Sequence, residues 1–223
     1  EHLRVWAIQL LLDEGRPRSA AVLPALVALA GREESGLVLT YLASALQKVP
    51  TEERWALAGK LCEKESLAAD AVYPLMVWYG VEPAVIAQPE RAVGLVQTSK
   101  LPLIRNFVAR RLAAEVDQQG PAVAALGATA LKSPANSVDI LDGVIAGLKG
   151  RRKAPAPPGW TQLSQQASRA VSADTQAKFR EISIVFGDGR AVDELRALAV
   201  DPKADLDARR RAIAALSEAR AEN

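Results

Sequence analysis

Few side chains in this 223-residue sequence could carry out a reaction. There is one histidine, His2, at the second residue, and one cysteine, Cys62. A Ser-His-Asp triad, a Cys-His pair or a histidine-built metal site has almost no material to draw on. A lone cysteine also excludes an internal disulfide and any cysteine-rich metal site, and it says nothing firm about redox compartment. Cys62, in "KLCEKES", has no resolving cysteine and reads as a small, half-buried hydrophobe on a helix spanning about 52 to 65. Asp139 and Asp142, in "SVDILDG", have the i, i+3 spacing of a weak metal pair. Without further ligands they read as solvent-facing acids near a helix start. "GDGR", 187 to 190, is a turn, because it lacks the spacing and the Lys-Ser/Thr of a phosphate loop.

The densest chemistry lies in "YPLMVWYGVEP", residues 73 to 83, which holds three of the ten aromatics in the chain. Pro74 suits the first turn of a helix, where its missing N–H costs nothing. On that helix Leu75, Trp78, Tyr79 and Glu82 share one side. Pro83 is expected to end or kink the helix, leaving the Glu82 carboxylate at a break beside two aromatics. Two roles fit these residues. One is a partner-binding site built from Trp78, Tyr79 and Glu82, with Arg105 and Arg110 from a neighbouring helix. The other is a thick core in which Glu82 pairs with Arg105, Arg110 or Arg111. Aromatic stripes at helical spacing are mostly core, and a half-buried carboxylate usually has a cationic partner, so the second role carries more weight.

Basic runs are the remaining candidates. Arg209, Arg210 and Arg211 could hold phosphate or an acidic partner, but Asp205, Asp207 and Glu218 dilute them, and a solvated helix face is the simpler reading. Arg151, Arg152 and Lys153 open a proline-rich stretch and form an exposed basic loop. Trp160, directly after "PPG", is expected to pin that stretch to the body of the protein.

The elements that must position these residues are helices. Apolar residues make up 49% and charged residues 24% of the chain, which allows both a core and solubility. Aromatics are only 4%, while alanine, leucine, valine, glutamate, arginine and glutamine dominate, which reads as a helical composition. A net charge of +2 is too small to argue by itself for nucleic acid, which leaves a nucleic-acid-binding HEAT-like domain as the least favoured reading, behind a scaffold and a peptide- or protein-binding module. No apolar run approaches the ~20 residues of a membrane span. Helical segments recur: "LRVWAIQLLL", "GLVLTYLASALQKV", "YPLMVWYGVEPAV", "LPLIRNFVARRLAAEV", "NSVDILDGVIAGLKG", "TQAKFREISIVFG" and "DARRRAIAALSEA". Their starts lie roughly 28 to 39 residues apart with a partner helix between each, the pattern of stacked helical hairpins. Thr51, Asp174 and Asp205 read as helix starts; Gly31, Gly120 and Gly150 read as stops. "ISIVFGD" is strand-like alone, yet Lys178, Phe179, Ile182, Val185 and Phe186 fall on one helical stripe. "KGRRKAPAPPGW", 149 to 160, cannot continue a helix and is expected to be an extended crossover that lets the two halves bend.

The expected fold is therefore all-α: a right-handed α-α superhelix, or HEAT-like solenoid, of irregular antiparallel helix pairs. Residues 1–148 form its N-terminal repeats, 149–160 the crossover and 161–223 the C-terminal repeats. Glu1 begins in mid-helix, as expected of a piece excised from a longer protein.

"HLRVWAIQLLLDEG", "GLVLTYLASALQKVPTEERW", "YPLMVWYGVEPAV", "LPLIRNFVARRL", "LKGRRKAPAPPGW" and "SIVFGDGRAVDELRALAVD", in this order, span nearly the whole chain. Together they resemble the helical-repeat region of large secreted PVC-type haem-binding, or membrane-bound-dehydrogenase-type, proteins of planctomycetes and verrucomicrobia. "PLMVWYGVEP" and "GRRKAPAPPGW" are the most specific parts. The resemblance implies a sugar-dehydrogenase-like propeller before this region and a cytochrome c domain after it. It implies a non-catalytic spacer with no cofactor of its own, a c-type haem elsewhere in the parent protein, and a periplasmic or secreted location. The implied partners are neighbouring domains of the same polypeptide or another protein. No CxxCH occurs here, so haem attachment does not carry over.

Overall fold

The computed structural model describes residues 1–13, 19–170, 172–187 and 189–219. Among the described residues every regular element is helical, as the composition requires. Contacts between backbone segments divide the chain into two compact units, Glu1–Arg111 and Leu112–Asn223.

The first unit holds α1 (His2–Leu11), α2 (Val22–Arg32), α3 (Gly36–Ala45), α4 (Arg54–Cys62), α5 (Tyr73–Val85), α6 (Pro89–Thr98) and most of α7 (Pro102–Ala114). It is a two-layer stack. α1, α3 and α5 pack side by side in one layer, and α2, α4 and α6 in the other. Trp78 against Phe107 places α7 next to α5. The seam between layers is aliphatic: Val38, Leu42, Leu46, Leu57, Leu61, Val77, Val85 and Val96 are all at most 1% exposed. No single hairpin could cover such a face alone, so stacking follows from the sequence pattern.

The second unit holds α8 (Val116–Lys132), α9 (Pro134–Leu148), α10 (Trp160–Ala170), α11 (Ala173–Val185), α12 (Gly189–Val200) and α13 (Leu206–Ala219). Here α11 neighbours both α9 and α13, α8 packs on α9 and α10, and α12 packs on α11 and α13. The proline-rich stretch 149–160 lies inside this unit rather than between the two units. It is extended, as expected, and tied down: the Ala154 N–H donates to the Val185 carbonyl at 2.8 Å, and Ala154 and Trp160 are buried. Gly150 and Gly159 bracket it with φ of +84° and +77°, a left-handed backbone that only glycine adopts without strain. "ISIVFGD" is helical as far as Val185, with Phe179 and Ile182 buried.

Several local expectations need correction. Gly31 lies inside α2, and Gly120 lies inside α8, one residue after a kink at Gln119. Thr51 opens a short 3₁₀ turn, Thr51–Glu53, and its hydroxyl donates to Glu52 rather than capping α4. The cap of α11 is Ser172, whose Oγ accepts from the Thr175 N–H at 3.3 Å, with Asp174 in the first turn. Asp205 does cap α13, accepting from the backbone of Asp207 and Ala208 at 3.1 Å. Pro83 neither ends nor breaks α5, which runs on to Val85. A proline removes the N–H that would reach the carbonyl four residues back, here that of Tyr79. Pro83 is exposed and only Ala84 and Val85 follow it in the helix, so the lost bond lies near the helix end; the neighbouring Gly80 carbonyl also accepts from Arg54 Nη1 at 2.6 Å.

Candidate functional site

α5 carries the aromatic row and α7 supplies what faces it. Trp78 meets Phe107 edge-on, ring centroids 5.4 Å apart at 81°. One turn later Glu82 Oε1 accepts from Arg111 Nε at 3.0 Å. Both pairs span 29 residues, so α5 and α7 run in the same register across two turns. The aromatic contact adds about 0.5–1.5 kcal/mol to area burial. The ion pair is partly solvated and adds at most about 1 kcal/mol.

The five residues proposed from sequence do not form one site. Trp78 and Glu82 are held by α7. Arg105 turns inward, is 6% exposed, and donates from Nη1 to the Ser99 carbonyl at 2.7 Å. Tyr79, 49% exposed, and Arg110 face solvent. Among the described residues no hydrogen bond or ring contact joins these last two. Arg111, named only as a possible partner for Glu82, is the one that takes it. Arg105 shares its face with the buried Leu101, Val108, Ala109 and Leu112, a spacing that reveals its inward direction.

Sequence reasoning passed over three stronger polar arrangements. Arg54, 8% exposed, donates to the carbonyls of Val49 at 2.7 Å, Gly80 at 2.6 Å and Gln47 at 3.3 Å. It thereby clamps α5 to the turn before α4. Burial pushes its pKa down from the ordinary arginine value, opposed by nearby Glu52. Tyr73 is fully buried and donates to the Leu61 carbonyl at 2.7 Å, and burial beside Cys62 raises its pKa. Asp70 precedes it and accepts from the N–H groups of Val72 and Tyr73 at 2.9 and 2.8 Å, bonds that hold its carboxyl below the usual range. Glu33, 7% exposed, accepts from the backbone of Glu34 and Ser35 and from Arg4. Burial pushes its pKa up, but these donors outweigh burial and the net shift is downward. The visible signals were weak: an arginine inside "TEER" and a glutamate before a serine cap look like ordinary surface.

Cys62 is 1% exposed, and burial lifts its thiol to about 12, so the thiolate that reacts or binds metal is suppressed at neutral pH. Asp142 pairs with Lys178 of α11. Among the described residues no group of three or more His, Cys, Asp or Glu stands close enough to hold a metal ion. Of the arginine run, Arg209 Nε donates to the Ala199 carbonyl at 3.2 Å and Arg210 lies 3.7 Å from Asp207. Gly187 has φ of +75°, as a turn requires; Asp188 lies outside the described residues, as does the side chain of Glu218.

A cavity of about 570 Å³ opens beside the basic loop. Ile145, Leu148, Ile182 and Val185 give it an aliphatic floor, and Lys149, Arg151, Arg152 and Glu181 line its charged wall. Arg151 is already paired to Asp117 at 2.6 Å. Trp160 is the anchor expected of it. It is 2% exposed, its Nε1 donates to Ser183 Oγ at 2.9 Å, and its ring stacks on Phe179 and meets Phe186 edge-on.

Comparison with protein-family models, with curated proteins and with solved structures finds no match. No helix among the described residues is long and apolar enough to cross a membrane.

Proposed function

We propose that this chain is a non-catalytic, HEAT-like scaffold that holds neighbouring domains or a protein partner at fixed separation. The observation that carries this reading is the layered stack itself. In the first unit helices contact the next-but-one helix along each layer, so hairpins share one apolar seam and the unit resists bending. The buried charged residues, Arg54, Glu33 and Arg105, are spent on backbone carbonyls, caps and ion pairs that lock successive hairpins. A spacer needs such internal stiffness.

In the context suggested by sequence resemblance, the domains held apart are a sugar-dehydrogenase-like propeller and a cytochrome c. The haem would then belong to the parent protein and not to this chain. The coding sequence on either side tests this directly: propeller repeats upstream and a CxxCH downstream are expected. Flanks with neither would remove that context.

A second reading is a stand-alone peptide- or protein-binding module, favoured by the half-exposed ring of Tyr79 beside Trp78. Replacing Tyr79 with alanine separates the two. A binding module loses affinity for its partner while keeping its fold; a spacer loses neither.

A further inference from the structure

We infer that the cavity beside the basic loop binds a small amphipathic anion, a free aliphatic monocarboxylate, with its chain on the floor and its carboxylate between Lys149 and Arg152. The cavity holds about 570 Å³, within the range of about 300–1,000 Å³ in which proteins receive small molecules. Its walls come from the last turn of α9, residues 150–152 and the second half of α11, and Ala215 of α13 adds to them. All of these belong to the second unit. The backbone keeps the space open. Gly150, with φ of +84°, turns the chain away from α9. The Arg151 N–H then donates to the Leu148 carbonyl at 3.0 Å, and the Ala154 N–H donates to the Val185 carbonyl at 2.8 Å. Held at both points, the loop bridges the ends of α9 and α11 and forms a wall instead of filling the gap.

Floor and wall differ in kind. Ile145, Leu148, Ile182 and Val185 offer only aliphatic carbon. Among the described residues the wall carries three cations and one acid. Arg151 is neutralised by Asp117, and Glu181 is engaged by another residue. Lys149 and Arg152 are exposed, and neither side chain has an ion pair or hydrogen bond among the described residues. Two unpaired cations above an aliphatic floor complement an anion with an apolar body. The helix ends select which anion. The cavity lies at the C-terminal ends of α9 and α11, whose partial negative charge disfavours a dense polyanion. None of the lining residues opens a helix, so no N-terminal amides are there to cradle a phosphate. A single carboxylate suits the two cations. For decanoate, the expected Kd is on the order of 10–100 µM.

Isothermal titration calorimetry of the full chain with decanoate, kept below its micelle concentration, tests this. Saturable binding in the stated range is expected. Octanoate, shorter by two methylenes, should bind about fifteen-fold more weakly. Inorganic phosphate should neither bind nor compete. Lys149→Gln combined with Arg152→Gln should weaken decanoate at least about tenfold with unchanged far-UV circular dichroism, since both residues are exposed. Ala146→Trp, which fills the cavity from a half-buried position in its wall, should abolish binding. Should that variant fold poorly, the glutamine pair decides alone. No saturable binding of decanoate up to about 1 mM, affinity that the glutamine pair leaves unchanged, or phosphate that binds as well as decanoate would each overturn the proposal. A short peptide rich in aspartate and leucine that binds more tightly than decanoate would assign the cavity to a protein partner and overturn it too.

Discussion

Replacing Gly80 with alanine should destabilise the protein although alanine is the better helix former. Gly80 lies in mid-α5, and a Cβ built there stands 2.3 Å from the Cβ of Leu46 and 2.9 Å from its Cδ1. Carbon atoms in contact settle at about 3.5–4.0 Å. Leu46 is fully buried, and a Cβ cannot swing away as a side-chain tip can. The two segments must therefore separate by more than an ångström. That movement also strains the 2.6 Å bond from Arg54 Nη1 to the Gly80 carbonyl. Overpacking costs about 1–3 kcal/mol, and weakening a buried charged hydrogen bond costs about 1.5–3 kcal/mol if lost outright. Helix propensity returns about 1 kcal/mol. The expected net loss is about 2–4 kcal/mol. Gly59 in α4 and Gly94 in α6 are controls, because a Cβ at either meets nothing within 4 Å. Alanine there should stabilise by about 0.5–1 kcal/mol. Urea unfolding followed by circular dichroism, with the slope checked for constancy, reads all three. If Gly80→Ala is neutral or stabilising, or if the three variants shift the midpoint in the same direction, the close approach of α5 to Leu46 is wrong.

Three further outcomes follow from the same packing. Trp160→Ala should cost about 3–5 kcal/mol, since it empties the contact with Phe179 and Phe186 and removes the donor to Ser183, which keeps only Ser164, and thermal unfolding measures it. Glu33 has a pKa below its ordinary value of 4.5 in the fold, so its contribution is present above that pH and is lost as pH falls through the lowered value. Glu33→Gln should accordingly lower stability at neutral pH and flatten the acid limb of the stability-pH curve. Cys62, with its thiol raised to about 12 and 1% exposed, should resist a thiol reagent at pH 8 in the native protein and react in full once urea unfolds it.

The fold was legible because its signals are periodic. Phe179 and Ile182 one turn apart, Pro74 in the first turn of a helix and Gly150 closing one are all local rules that the structure obeys. The candidate site was legible only in part. The stripe of Trp78, Tyr79 and Glu82 is real, but which member faces inward depends on where α7 lies, and no local rule gives that. Arg111 rather than Arg110 meets Glu82 because α5 and α7 are offset by 29 residues, a tertiary quantity. Arg105 misled through its charge: a guanidinium suggests surface, yet its position among Leu101, Val108 and Leu112 places it in the core, where a carbonyl satisfies it. Pro83 misled because a proline removes one helix hydrogen bond yet can keep helical dihedrals, and here only two residues of α5 follow it.

The account rests on pairing between neighbouring hairpins, with the aromatic row of α5 serving mainly to pack. Equilibrium unfolding of Trp78→Ala beside Tyr79→Ala tests this most directly. Loss of about 2–4 kcal/mol for Trp78 and less than about 0.5 kcal/mol for Tyr79 is the predicted result. Equal, negligible effects from both would mean that α7 does not pack against α5 as described, and the stacked seam would have to be abandoned.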